Sequence, residues 1–588
     1  MGRWDFYSRG DTIDTVDGDS SFSGVDMTRS RELLAPGTLA LAQNVRMRTG
    51  AARQRLGTVR PSDFNPIFAN RIIGSCVFQD PNGNEQLLVA PASVNYTVNL
   101  RYGKDPVQIP YDVSLSTNNG TGGIEFCQAF DKLLLIRRPL SADNPNTLVW
   151  DGDNTHKWQQ LALSATGLKV APNSWNAEPF QDRVLYYTAL FPSSPTRDTW
   201  YMSDIEDYTS YDPVFQVFRT NSGESDYITR IMQYYESSVL IFKSNTIHQS
   251  TLLPQFPVAM QHRALTLRLG SIGNKMPLEI GGDIIFLSQP GGFYRLTQVI
   301  QENIIALPVA LSEPIQPVID NLQWGVTGLF GCSSSVDNYG FFGVALGVSA
   351  TRCNAVLVIN TQTNKWESVP DTWADPAFGF EALHVTNYNG VKRLFAIDYK
   401  NGVVYLMYEG IGDDLKSGYF KVPYKIETRG YTANDPVSFK RFLRATVSIS
   451  TSAPRINVTA LSDGVNEEKV LTPDPITKDR TKFYTHGHKR FDVTTDSLTE
   501  ELREDYSNPL SEEVAIEDFE QYIVGPVTSL IETDLPIAQD KQESTERLLV
   551  RDTGRHMSLR IENTEGVCDV LAVSIEASRS MNTIRTAA

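Results

Sequence analysis

The sequence predicts an all-β protein: a β-propeller in the middle of the chain and a β-rich C-terminal domain, with a small, partly helical acidic insertion. Three observations predict it. Short apolar runs separated by turn residues fill the middle of the chain, a weak repeat recurs within them, and charge is segregated toward the two ends. At 588 residues the chain exceeds the roughly 250–300 at which one core stops growing, so more than one domain is expected. Apolar residues are 41% of the chain, which excludes a wholly disordered protein. No apolar run approaches the ~18 residues of a membrane helix. Met1-Gly2-Arg3-Trp4-Asp5 lacks the apolar stretch of a secretory signal. A soluble chain made in the cytoplasm is the expectation.

The middle, 63–420, reads as the propeller. Lys132-Leu133-Leu134-Leu135-Ile136, Asp182 to Tyr187, Ser238 to Lys243, Asp283 to Ser288 and Arg393 to Asp398 are runs of four to seven residues. Each is rich in Val, Ile, Leu, Tyr and Phe and is bounded by Gly, Pro, Asn or Asp, the signature of strands and hairpins. No helical window of ten residues competes with them. Val149-Trp150-Asp151-Gly152 is followed by Lys157-Trp158, and Val358-Ile359-Asn360-Thr361 by Lys365-Trp366. Ala396 to Tyr405 is a related strand–turn–strand. Such units at ~40–50 residue spacing are what propeller blades produce, because one small sheet cannot bury both faces alone and a ring of them can.

The ends differ. The segment 1–62 is read as an arm and an arginine-rich hairpin. Arg29 to Arg60 holds seven arginines against Glu32 alone, and a hairpin turning at Thr49-Gly50 places Arg46, Arg48, Arg53 and Arg55 alternately along two strands, projecting from one face of each. The segment 421–588 is read as a β-rich C-terminal domain. Within it, 492–547 carries 16 acidic and 3 basic residues, a net of −13 out of the whole chain's −16. Ser497 with Glu500 has capping-box spacing, Leu498, Leu502 and Tyr506 follow at helical intervals, and Pro509 ends the run. Ile516, Phe519 and Ile523 mark a second helix.

No catalytic or metal motif has the spacing its chemistry requires. His486-Gly487-His488 lacks a third and fourth ligand, and Asp11, Asp14, Asp17 and Asp19 lack the alternation of a calcium loop, so they read as a solvated arm. Gly120-Thr121-Gly122-Gly123 lacks the Lys of a phosphate loop. Five cysteines without a CxxC pair read as reduced core residues. Neighbouring acids such as Glu500-Glu501 point different ways round a helix and suit paired acid–base work poorly. No cofactor and no enzymatic activity are expected.

Six stretches then carry a resemblance. Gly24-Val25-Asp26, Leu34-Ala35-Pro36-Gly37, Gln43-Asn44-Val45 and Gly50, Arg53, Arg55, Gly57 form the first. Trp200 to Ile205, Leu240 to Ile247, Gln289 to Tyr294, Glu427 to Tyr431 and Ser558 to Asn563 complete the set. Together the chain resembles the nozzle, or tail tubular protein B, family of short-tailed bacteriophages. That resemblance implies a structural virion protein of the phage tail, a homo-oligomeric ring, typically hexameric, below the portal adaptor. It also implies tail fibres or spikes docked nearby, a propeller outside the ring, a β-rich platform built from both chain ends that makes the ring, and viral DNA passing through without sequence-specific binding. On this reading Arg46, Arg48, Arg53 and Arg55 dock an acidic partner or neighbouring subunit. Glu500, Glu501, Glu504, Asp505, Glu512 and Glu513 face the channel, where like charge lets the duplex slide. The rival is a glycan-binding or glycan-cleaving propeller tail protein, with Trp158, Trp366 and Trp373 as exposed sugar-stacking rings.

Overall fold

The structure is a computed structural model. It describes residues 15–492 and 542–579 except 48, 62–70, 93–95, 102–103, 112–123, 138–146, 161–173, 188–196, 222–224, 254–258, 290, 302–307, 401, 452–455, 463–468, 472–481, 486–488 and 564–565. Strands take up 58% of the described residues and helices 6%. The chain divides into two compact units, one made of Leu56–Phe420 and the other of Met1–Arg55 with Lys421–Ala588.

In the Leu56–Phe420 unit, seven antiparallel sheets follow one another among the described residues. Their first strands are Ile72–Gln79, Ile124–Ala129, Asn176–Phe180, Ile228–Tyr234, Leu278–Ile280, Cys332–Val336 and Phe380–Tyr388. Each of these pairs with one neighbour only within its sheet, and the strand Ile72–Gln79 packs against both Ile124–Ala129 and Phe380–Tyr388. The sheets therefore close a ring of seven blades with the first strands innermost. Blade 5 has three strands and the others four.

Local chemistry makes the blades. Phe130-Asp131 and Asp337-Asn338 all have positive φ and join strands in the registers Ala129↔Lys132 and Val336↔Tyr339, the two-residue turns whose twist matches that of the strands. The second strands are mostly buried, and Arg183–Tyr187 is buried along its whole length, since each has a blade on either side. Apolar clusters fill the gaps. Leu88, Leu133 and Trp150 join blades 1 and 2. Leu185 and Ile241 join blades 3 and 4, and Phe395 and Leu87 join blades 7 and 1. Trp158, Trp366 and Trp373 belong to this packing at 0%, 2% and 8% exposure. They are core rings, which corrects the expectation that they offer sugar-stacking faces. The N-terminal strand Gly57–Val59 supplies the fourth strand of blade 7. A Cβ on Gly57 would meet the Gly412 carbonyl oxygen at 2.0 Å, so glycine is required for closure.

The described α-helices all lie in this unit: Leu296–Gln301, Gln316–Ile319 and Trp324–Phe330. The two helices expected after residue 490 fall at positions outside the described residues. So do Glu500, Glu501, Glu504, Asp505, Glu512 and Glu513. Gln542–Gly554 is a strand, so the last six residues of the segment 492–547 belong to a sheet. No described helix is long and apolar enough to cross a membrane.

The other unit is stitched from the two chain ends. Its six-stranded sheet runs Gln542–Gly554, Lys440–Thr451, Cys568–Arg579, Ala52–Gln54, Val45–Arg46, with Thr15–Asp19 also paired to Cys568–Arg579. A five-stranded sheet places Leu41–Gln43 beside Tyr424–Glu427, whose other neighbour is Met557–Asn563. One core holds Phe22, Leu39, Val45, Tyr424, Ile426, Phe442, Ile561 and Val570. Asp17 and Asp19 are not a solvated arm. Arg429 donates from Nη2 to Asp17 at 2.6 Å and from Nε to Asp19 at 3.0 Å, which fastens the first strand. Asp11 and Asp14 lie outside the described residues.

Candidate functional site

The innermost strands of the propeller carry polar side chains within otherwise apolar runs. Blade 1 contributes Ser75, blade 2 Glu125, blade 3 Glu178, blade 4 Arg230, blade 6 Ser333, and blade 7 Glu381 and His384. The segment entering blade 5 adds Asn274 and Lys275. Asn274 Nδ2 donates to Glu125 Oε1 at 3.1 Å, and Lys275 Nζ lies 3.5 Å from Glu125 Oε2. Because blade 2 stands across the ring from blade 5, this pair spans the axis. Ser333 Oγ donates to the Lys275 carbonyl at 2.8 Å, and Arg230 Nη1 to that of Pro277 at 2.8 Å. The leader of blade 5 thus occupies the middle of the ring.

The electrostatics follow from depth and from Lys275. Burial pushes the Glu178 carboxyl up to about 7, with Arg230 opposing. Burial likewise raises Glu381, while Lys275, Arg352 and Arg71 pull it back. His384 is lowered to about 3 by burial and by the Lys275 charge. Ser75 Oγ sits 2.8 Å from His384 Nε2, within nucleophile-to-base distance. An imidazole held neutral beside an ammonium accepts a proton poorly, so this pair is a weak activating dyad. Glu178 differs. A carboxyl that keeps its proton near neutral pH has the property a general acid needs. Among the described residues no cluster of His, Cys, Asp and Glu is arranged to hold a metal.

The arginine hairpin is altered in detail. Arg46 and Arg53 face each other across the strands Val45–Arg46 and Ala52–Gln54. Arg53 is half exposed and lies 3.9 Å from Asp569. Arg55 is instead buried at 2% exposure, its Nε donating to Asn44 Oδ1 at 2.8 Å. It is a core residue, not a docking one, because the strand ends at Gln54 and the alternation ends with it. Arg48 lies outside the described residues, as do His486, Gly487, His488 and Gly120-Thr121-Gly122-Gly123. All five cysteines carry free thiols.

Sequence reasoning missed the axial set because its members are spread over about 300 positions, from Ser75 to His384. A usable signal exists: a charged residue two or three places into the strand opening a blade, as in Ile124-Glu125, Asn176-Ala177-Glu178 and Phe380-Glu381.

No protein-family model matches the chain, and no curated protein matches it. Among solved structures it is similar to virginiamycin B lyase from Staphylococcus aureus, at 8% identity and a TM-score of 0.33, over 61% of this chain and 99% of that one. It is also similar to an ancestral GH74 enzyme, at 10% identity and a TM-score of 0.36, over 61% of this chain and about half (52%) of that one. An exo-beta-1,3-galactanase from Phanerochaete chrysosporium matches at 9% identity and a TM-score of 0.25, over 89% of this chain and 100% of that one. The expectation of no enzymatic activity is corrected here: these similar structures are a lyase and glycoside hydrolases, at 8–10% identity.

Proposed function

We propose that the chain is a ring-forming subunit of the tail nozzle of a short-tailed bacteriophage, whatever catalysis its propeller also carries. The observation that carries the reading is the unit Met1–Arg55 with Lys421–Ala588, whose sheets interleave strands from both chain ends. A unit of this kind fits the platform that the resemblance implies for the ring. Further support comes from the matching stretches. Gly24-Val25 pairs with Thr38-Leu39, Gly37 adopts φ 76° with its Cβ position 2.6 Å from the Ser21 carbonyl, and Ser558 to Asn563 lies in a platform strand. The ring is a homo-oligomer, hexameric by resemblance, partnered by the adaptor and by fibres or spikes in the virion. DNA passes through it, with the acidic stretch 492–547 lining the passage. Electron microscopy of negatively stained protein tests this: closed rings are expected, and a persistent monomer at high concentration overturns it.

A second reading, a glycan-directed propeller, is favoured by the carboxylates Glu125, Glu178 and Glu381 on innermost strands, with Glu178 pushed up to about 7. Release of reducing ends from host polysaccharide, abolished by Glu178→Gln, is its test.

A further inference from the structure

Away from the axial cluster, a hollow of about 300 Å³ opens between blades 4 and 5, lined by Tyr227, Ser244, Asn245, Ile272, Gln289, Trp324 and the helix glycines. That volume is at the lower end for small-molecule sites. One wall is the turn Ser244-Asn245-Thr246 between the second and third strands of blade 4. Buried Asp226 holds this turn: its carboxylate accepts from the Ser244 hydroxyl, from the Asn245 N–H at 2.9 Å and from the Thr246 hydroxyl at 2.6 Å. The opposite wall is the helix Trp324–Phe330. Gly328 lets that helix approach closely, since a Cβ there would stand 3.1 Å from the Ile272 carbonyl oxygen. Gly325, by contrast, faces open space: a Cβ there meets nothing within 4 Å.

The lining has a definite chemistry. Two aromatic residues, Trp324 and Tyr227, stand with two primary amides, Asn245 and Gln289, and no charged side chain lines the hollow. Among the described residues no hydrogen bond engages the Trp324 indole N–H, the Tyr227 hydroxyl or the Gln289 amide. An amide both donates and accepts, an indole N–H donates, and a phenol does either. Aromatic rings meanwhile offer large apolar faces beside those polar ends. A phosphate or carboxylate finds no cation here, and a purely apolar guest would leave the amides unpaired, which costs affinity.

We propose that this hollow binds one neutral pyranose unit of an oligosaccharide, its C–H face against an aromatic ring and its hydroxyls on the amides. The proposal deepens the glycan-directed reading but needs no cleavage and no ring. Its elements are rigid: Asp226 fixes the turn, and Thr327 Oγ accepts from the Ala345 N–H at 3.2 Å to fix the helix.

The test is saturation-transfer NMR on the full chain with cellobiose, maltose, lactose and chitobiose, each in the millimolar range, followed by titration of any that responds. At least one disaccharide is expected to respond, and its affinity to fall about tenfold or more in Gln289→Ala and Trp324→Ala. Gly325→Leu, which fills the open space, is expected to abolish the response. Melting temperatures identify any variant that fails to fold; exposed Gln289 and Gly325 then decide without Trp324. No response to any of the four overturns the proposal, and so does a response that persists in folded Gln289→Ala and Gly325→Leu. Binding without released reducing ends supports the pocket while removing the catalytic reading.

Discussion

The two units solve the same problem, burying many short strands, in opposite ways. In Leu56–Phe420 nearly every strand pairs with its sequence neighbour, and only Gly57–Val59 returns from far away to blade 7. In the other unit Thr15–Asp19 lies on Cys568–Arg579, and Leu41–Gln43 on Tyr424–Glu427. A fold of local pairs tolerates a polar cluster at its centre, where the seven first strands converge. A fold of distant pairs instead needs charged fasteners at its joints, and Arg429 and Glu427 serve there. Arg31 and Arg560 both grip Glu427, at 2.7 and 2.6 Å.

The largest effect should come from breaking a distant joint. Arg429→Ala leaves Asp19, 2% exposed at its side chain, without its cation, and stranding a buried charge costs about 3–5 kcal/mol. Calorimetry should show the loss in one of two transitions, with the other unmoved. A uniform shift of both would mean the units do not unfold separately. Next comes the single distant joint of the propeller. Gly57→Ala forces Gly412 to move, and overpacking of this kind costs about 1–3 kcal/mol. Limited proteolysis should then open blade 7 first; an unchanged melting profile would show that blade closure does not depend on this strand.

A smaller, pH-dependent effect tests the axis. Glu178 is raised to about 7, so between the ordinary carboxylate range and pH 7 the folded state holds a proton the unfolded state has lost. That contribution is fully present at acid pH and disappears as pH rises through about 7. Glu381 is raised in the same sense. Glu178→Gln should therefore flatten the stability profile between pH 5 and 8 and leave the variant more stable than the parent above pH 7. Parallel profiles would show that Glu178 is ionised throughout.

How much was legible follows the same division. Blade strands announce themselves locally, and Lys132 to Ile136 or Ser238 to Lys243 needed only composition and flanking turns. The Trp150–Trp158 and Ile359–Trp366 repeat is genuine, since both mark the passage from third to fourth strand in blades 2 and 6. Ala396 to Tyr405 was less comparable: it joins second to third strand in blade 7. The charged residues near the start of blade-opening strands left a local mark, but their meeting was not legible, because strand convergence, not spacing, brings Glu125 to Lys275. The three tryptophans misled because a blade interface buries a large ring as readily as a surface displays one. The hairpin at Gly50 was legible, but the burial of Arg55 was not, since Asn44 Oδ1 is its partner only after the strand has ended.

That last difference sets the smallest prediction on stability and the sharpest on assembly. Changing all four arginines together would confound docking with unfolding, because Arg55 is a core residue bonded to Asn44. The pair Arg46 and Arg53 is the clean test. They stand directly opposite each other, and like charges so placed repel. Within the chain, Asp569 reaches Arg53 only at 3.9 Å, and such a half-exposed contact is worth under about 1 kcal/mol. Arg46→Gln with Arg53→Gln should therefore shift unfolding by about 1 kcal/mol or less. If these side chains dock a carboxylate-rich neighbour, the same change should abolish rings in electron micrographs while the melting temperature stays near that of the parent. Intact rings from the double variant would remove the hairpin from the interface and leave its arginines a solvated edge of the six-stranded sheet.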